Sequence, residues 1–309
     1  MAEKRNWKRP LWRICKRGVL PLLALWLILG WAAASVTTLS EYADIGVRTH
    51  IGMHPIRPVW VQAQDGVPIS AWYGENSTDR AVILLAGIYG NRRHMVRRAE
   101  WYLDRGYSVM LPDLRGTGQS GDAKVTIGWR ERFDLMACER FLRDRGYTHI
   151  GAHGISLGAA TIAYSLVEDP DWSWMVLESS YSSLDSAWRN RLAMVGVPHA
   201  ITQPVRWFAQ WQIGARVDTL APLRYMPKAT APALILAGDS EPELKSEETQ
   251  AMFDACGSAI KRLHFFAGAH HENFLSRYED EFWGVLDPFM DEVEALQTPP
   301  ASTLAAAHP

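Results

Sequence analysis

Residues Ile150–Val167 read IGAHGISLGAATIAYSLV, and the reading of the whole chain turns on them. Ile150–Gly154 is a short apolar run of strand type, and Ala159–Val167 is a good helix. Between them stands Gly154-Ile155-Ser156-Leu157-Gly158, a G-x-S-x-G pattern. Such a pattern sets a serine on a sharp strand-to-helix turn, where strained backbone and close helix packing leave room only for small neighbours. Gly154, Gly158, Ala159 and Ala160 supply them. The five residues alone are a weak signal, expected by chance in about one chain in ten of this length. Their position between a strand and a helix is what makes Ser156 a candidate nucleophile rather than an incidental turn serine.

Outward from this turn the chain alternates strands and helices. Pro58–Gln64 and Pro68–Tyr73 flank an Asp65-Gly66 turn and read as a hairpin. Ala81–Gly87 (AVILLAG) is continuously apolar, as a strand buried on both faces requires. A helix is expected over 93–105, a strand over 107–111, then the glycine-rich loop DLRGTGQSG (Asp113–Gly121). A helix over 131–145 follows, and strands are expected over 150–154, 173–177, 233–237 and 262–266. This βαβα rhythm predicts an α/β fold with a mainly parallel sheet covered by helices on both faces. Asp185–Pro227 interrupts it with a helical, aromatic insert containing Trp188, Trp207, Phe208 and Trp211.

A serine hydroxyl attacks only when a base takes its proton. His270 and His271 stand in AGAHHENF, directly after the last expected strand. Adjacent side chains point differently, so one of them serves, with His271 preferred and His270 the alternative. His264 within that strand, and His149 and His153 around the serine's strand, read as structural. The base needs a carboxylate to hold its tautomer, placed between serine and histidine in the chain. Asp239 and Glu241 both lie on the loop after PALILAG, and Glu178 follows the strand ending at Leu177. All three remain candidates on the residues alone. For the oxyanion, the backbone N–H groups of Leu157 and Ile88 are the expected donors, with Tyr89 beside them as a pocket wall.

Six segments in order resemble the α/β-hydrolase superfamily, and in detail its BEM46-like and lysophospholipase-like esterases, from about Val59 to Met290. LLAGIYGNR (Leu84–Arg92) resembles the family's oxyanion loop, with Ala86 where a histidine is usual. DLRGTGQSG, GWRERFDL (Gly128–Leu135) and GISLGAA resemble the three segments that follow, the last being the nucleophile elbow. LILAGDSEP resembles a segment whose final acid is catalytic, which lands on Glu241, a Glu where Asp is usual. GAHHENF resembles G-A-G-H-E-N and lands on His271. The resemblance also implies that the insert 185–227 is a lid over the pocket. Its Trp207, Phe208 and Trp211 then either wall an acyl chain or dock the lid on the domain.

The chain has 309 residues, 48% hydrophobic and 21% charged, with net charge −2. That accommodates one catalytic domain with an appendage and carries no nucleic-acid footprint. Basic residues crowd the leader, 1–17, before the uncharged run Gly18–Val36. Nineteen residues of helix nearly cross a ~30 Å hydrocarbon core. We therefore expect a transmembrane anchor over 18–36, N-terminus cytoplasmic and catalytic domain on the far side (bacterial periplasm or equivalent). A cleaved signal peptide, ending at Ala32-Ala33-Ala34 and releasing a secreted enzyme, is the alternative. A linker over 37–56, a hydrolase domain over 57–297 and a flexible tail over 298–309 complete the plan. Of three cysteines, Cys138 and Cys256 read as two buried thiols, with a bridge between them the alternative. The expected activity is hydrolysis of a small-molecule or lipid ester through an acyl-enzyme on Ser156, with no metal and no cofactor. A peptidase or amidase with the same triad, or a non-catalytic binding protein, are the rivals.

Overall fold

The computed structural model describes residues 15–77 and 79–297. The leader up to residue 14 and the tail over 298–309 lie outside the described residues. A π-helical turn, Cys15–Val19, leads into helix α1 (Leu20–Thr37). The domain then runs β1 (Arg57–Gln62), β2 (Pro68–Gly74), β3 (Arg80–Leu85), α2 (Val96–Asp104), β4 (Ser108–Pro112), α3 (Glu131–Arg143), β5 (His149–Ile155) and α4 (Leu157–Ser165). It continues with β6 (Trp174–Glu178), α5 (Leu184–Met194), α6 (Gln203–Ile213), β7 (Ala233–Gly238), α7 (Ser246–Ala255), β8 (Lys261–Phe266) and α8 (Glu279–Gln297).

The eight strands form one sheet in the order β1-β2-β4-β3-β5-β6-β7-β8. β2 is antiparallel to both its neighbours, and every other pairing is parallel. Strand side chains alternate between faces, so the apolar runs feed two separate cores. Ala81, Ile83 and Leu85 join Met175, Leu177, Ala233 and Ile235 on one face, under α3, α4 and α7. Val82, Leu84, Trp174, Val176, Leu234 and Leu236 pack on the other, under α2 and α8. This explains why the strands read as unbroken apolar stretches: each must satisfy a core on both sides.

Three buried ion pairs explain the charged letters inside otherwise apolar motifs. Arg92 of the LLAGIYGNR loop grips Asp113 of the glycine-rich loop (Nη2 to Oδ2 2.7 Å) and donates to Ser70. Arg115 of that loop binds Asp134 on α3 (2.7 Å) and Asp65 in the hairpin turn (2.6 Å). Arg98 on α2 holds Glu178 at the end of β6 through two 2.6 Å bonds. Each arginine is fully or almost fully buried, where an unpartnered charge would cost several kcal/mol. The loops around the serine are thus clamped to the scaffold.

The segment 37–56, expected as a linker, is built into the domain. Glu41–Tyr42 pairs in parallel with Thr117–Gly118, His50–Ile51 pairs with His54–Pro55, and Ile45, Ile51 and Ile56 are buried. Its spaced isoleucines supply the reason. The alternative of a Cys138–Cys256 bridge is overturned: both thiols are buried and free, and burial raises the pKa of each.

α1 is long and apolar enough to cross a membrane, with mean hydropathy 1.9. One side of it is not free. It lies along α6, with Gly30 against Pro204, the Trp26 ring edge-on to Trp207, and Ser35 and Thr38 bonded to Gln212.

Candidate active site

The turn at Ser156 closes over the C-terminal edge of the parallel strands. Ser156 has φ 50° and ψ −107°, a conformation that side chains avoid and that surrounding structure must enforce. The enforcement is steric and visible. A Cβ on Gly154 would lie 2.4 Å from the Gly158 carbonyl carbon, and one on Gly158 would lie 2.5 Å from the Leu85 oxygen. Both contacts are with backbone, so neither neighbour yields cheaply. Gly154→Ala should therefore destabilise the fold by about 2–3 kcal/mol, read from urea unfolding; a change below about 0.5 kcal/mol would contradict this packing.

His271 bridges the serine and one acid. Its Nε2 is 3.1 Å from Ser156 Oγ, and its Nδ1 is 2.7 Å from Glu241 Oε2. The Glu241 carboxylate is fully buried, and its other oxygen accepts from the Gly238 N–H and the Ser179 hydroxyl, both at 2.7 Å. An acceptor-only carboxylate on Nδ1 fixes the proton there and leaves Nε2 to accept from the serine hydroxyl. The geometry is that of a nucleophile, a base and an orienting acid.

The other candidates are occupied elsewhere. Asp239 is exposed and turned away, accepting from the Gly268 N–H and the Ser240 hydroxyl. Glu178 is buried against Arg98 and His153. Burial opposes its ionisation, but the Arg98 guanidinium and the His153 bond outweigh that and hold its pKa at about 2. Burial lowers the pKa of His153, so its ring is a neutral bonding partner; Tyr102 bonds its far nitrogen at 3.0 Å. His270 is exposed, its Nδ1 2.7 Å from the Ser240 carbonyl. His264 pairs with Glu281 at 2.8 Å.

Ile88 and Leu157 both line the cavity in front of Ser156. Leu157 opens α4, so its N–H belongs to the first turn, which a helix leaves without an internal acceptor. Tyr89 shares this wall with φ 59°. The cavity holds about 360 Å³, within the range of small-ligand pockets.

The lid covers the cavity, though not with the residues expected. Val205, Ala209 and Ile213, spaced four apart on α6, line it together with Leu184, Trp188 and Val217. Trp207 and Trp211 occupy the opposite side of α6 and are 53% and 73% exposed, and Phe208 packs within the lid. Of the two roles expected for these three, walling an acyl chain or docking the lid, the first is not what the cavity lining shows. Trp207 and Trp211 stand two positions from the cavity-facing Val205, Ala209 and Ile213 and so point to the other side of α6, and Phe208 is taken up in the lid's own packing. Sequence reading assigned several participants no site role, among them Ser179 behind the acid, Trp188 and Tyr181 in the cavity, and Thr37 at the end of α1. Only Ser179 had a usable signal, since it directly follows a strand ending at the same sheet edge as Ser156.

A profile of the prolyl oligopeptidase family matches residues 93–282. The uncharacterized Bacillus subtilis protein YqkD is 22% identical over 224 residues, 71% of this chain and 73% of that one. A Bacillus subtilis carboxylesterase is 32% identical over 84 residues, 26% of this chain and 33% of its own. The structure of an esterase from Pyrococcus furiosus superposes with a TM-score of 0.69 at 23% identity, over 82% of this chain and 98% of that one. That likeness establishes the shared fold. With the strand order, the elbow at Ser156 and a family match over more than half its length, the chain belongs to the prolyl oligopeptidase family of α/β-hydrolase serine hydrolases.

Proposed function

We propose that this protein is a membrane-tethered esterase that cleaves hydrophobic carboxylic esters through an acyl-enzyme. The observation that carries the reading is the Ser156–His271–Glu241 relay opening into a cavity walled mainly by apolar side chains such as Ile88, Leu184, Val205 and Ile213, with Asp185, Arg191 and Arg206 also lining it. Ser156 Oγ attacks the ester carbonyl while His271 Nε2 takes its proton. The oxyanion is held by the Leu157 and Ile88 N–H groups. His271 then protonates the leaving alcohol, and water repeats the sequence to release the acid. A mainly apolar wall suits an acyl chain, whereas a peptide backbone needs polar partners along its length. The esterases among the similar proteins point the same way.

The tether rests on α1 being retained rather than cleaved. Gly30 packs against Pro204, and Ala33 and Ala34 pack with the lid core. Loss of the segment up to Ala34 would strip Pro204 and Val205 of the backbone packed against them.

Two measurements test the reading. Turnover of p-nitrophenyl esters should rise as the acyl chain lengthens from acetate toward medium chains, and a peptide p-nitroanilide should be cut far more slowly; preference for the anilide would reverse the substrate class. Glu241→Gln should lower kcat by about 10³–10⁴-fold while Asp239→Asn stays within about twofold. A collapse confined to the Asp239 variant would reassign the acid.

A further inference from the structure

We propose that the lid, as well as α1, lies in the membrane, so that the cavity receives its ester directly from the lipid leaflet into which the lid dips. The inference rests on the tether reading above and follows from lengths. α1 and α6 run side by side in the same direction: Trp26 meets Trp207 and donates to the Ile201 carbonyl, Gly30 meets Pro204, and Thr38 bonds Gln212. From Trp26 to Thr38 the lid therefore follows α1 for about 18 Å at 1.5 Å per residue. Only Leu20–Leu25, about 9 Å, lies beyond it, and even counting from Cys15 the free part is about 16 Å. Neither approaches the ~30 Å that a span requires. A membrane crossed by α1 must therefore also surround the part of the lid that accompanies it.

The outward surface of the lid is built for that. Met194, Val195, Val197 and Ile201 are exposed on a stretch with no Asp, Glu, Lys or Arg from Leu192 to Val205, and Trp207 and Trp211, beyond Arg206, are exposed as well. The charged groups near it are gathered on Asp185, which lies 3.3 Å from Arg206 and 3.6 Å from His199, all three mostly buried, and 2.7 Å from the exposed Arg189. Because the helices run in the same direction, Ile201 and its loop are the deepest part of the lid and Gln212 the shallowest. Thr37 and Tyr89, whose hydroxyl is 3.5 Å from the Val36 carbonyl, set the cavity beside the end of α1, at the level where a lipid ester bond meets water. An acyl chain in the leaflet needs no passage through water to reach Ser156.

Single cysteines placed at Val195, Trp211, Leu25 and Asp171 in a Cys15→Ser background, labelled with a fluorophore and reconstituted in phosphatidylethanolamine/phosphatidylglycerol vesicles containing brominated phosphatidylcholine, test this. Asp171 sits before β6 at the sheet edge opposite the cavity, and its side chain is 91% exposed. Quenching by brominated lipid at 195, 211 and 25 should be at least threefold that at 171. Water-like behaviour at 195 and 211 with lipid quenching at 25 overturns the lid placement and leaves the tether standing. Water-like behaviour at 25 removes the tether and this inference with it. Val195→Glu should lower turnover of a vesicle-borne ester at least tenfold while a soluble short ester stays within twofold; an equal effect on both overturns uptake from the leaflet.

Discussion

Ser156→Ala should lower kcat/KM for a soluble p-nitrophenyl ester by about 10⁴-fold or more, because nucleophile and base act as one unit. His271→Ala should cost nearly as much, and the double variant little more than either alone. The reason lies in the 3.1 Å Ser156–His271 contact: without the imidazole the hydroxyl keeps its proton, and without the hydroxyl the imidazole has nothing to activate. A fluorophosphonate should label the wild type once and the Ser156→Ala protein not at all. Equal labelling of both folded proteins would remove the serine from the mechanism and revive a binding role for the fold.

Glu178→Gln should destabilise the protein by about 3–5 kcal/mol at pH 7, since it strands the buried Arg98 guanidinium. The pH dependence follows from the same pair. Glu178 has a folded pKa of about 2 against an ordinary 4.5. A depressed carboxylate stabilises the fold fully above its unfolded pKa, and that stability disappears as pH falls from about 4.5 toward 2. The gap of about 2.5 units corresponds to roughly 3 kcal/mol. Urea titrations at pH 7, 4 and 3 should therefore show wild type converging on Glu178→Gln as the medium is acidified. Turnover by the folded variant should stay within about threefold of wild type, which separates Glu178 from the acid that holds His271. A stability change below about 1 kcal/mol at pH 7 would contradict the ion-pair argument.

Legibility in the sequence followed the kind of constraint each residue answers to. The central strands, from Ala81 to Gly238, were readable because burial on both faces demands largely apolar runs. The elbow was readable because Gly154 and Gly158 stand where any side chain would strike backbone. Both are local demands, and local demands leave marks in letters. The choice among Asp239, Glu241 and Glu178 left no mark in local physics, and only the family resemblance of LILAGDSEP pointed to Glu241. Two carboxylates two residues apart on one loop differ only in direction, and direction comes from the Gly238 N–H and the Ser179 hydroxyl, which belong to two different strand ends.

The lid divides in the same way. Its aromatic richness was evident, but which aromatics faced the cavity depended on the rotation of α6 about its axis. That rotation is fixed by α1 on one flank and by the cavity on another. Trp188 went inward, Trp207 and Trp211 outward.

Ser156 and the strand-turn-helix around it were determined by the sequence alone, because sterics at Gly154 and Gly158 admit one local geometry. So was the mainly parallel sheet, because apolar runs joined by helices have few other ways to bury both faces. The orientation of the acid toward His271, the outward turn of the lid tryptophans and the joining of α1 to the cavity wall were decided only in three dimensions. Each depends on segments far apart in the chain meeting at one place, and residue spacing carries no record of such meetings.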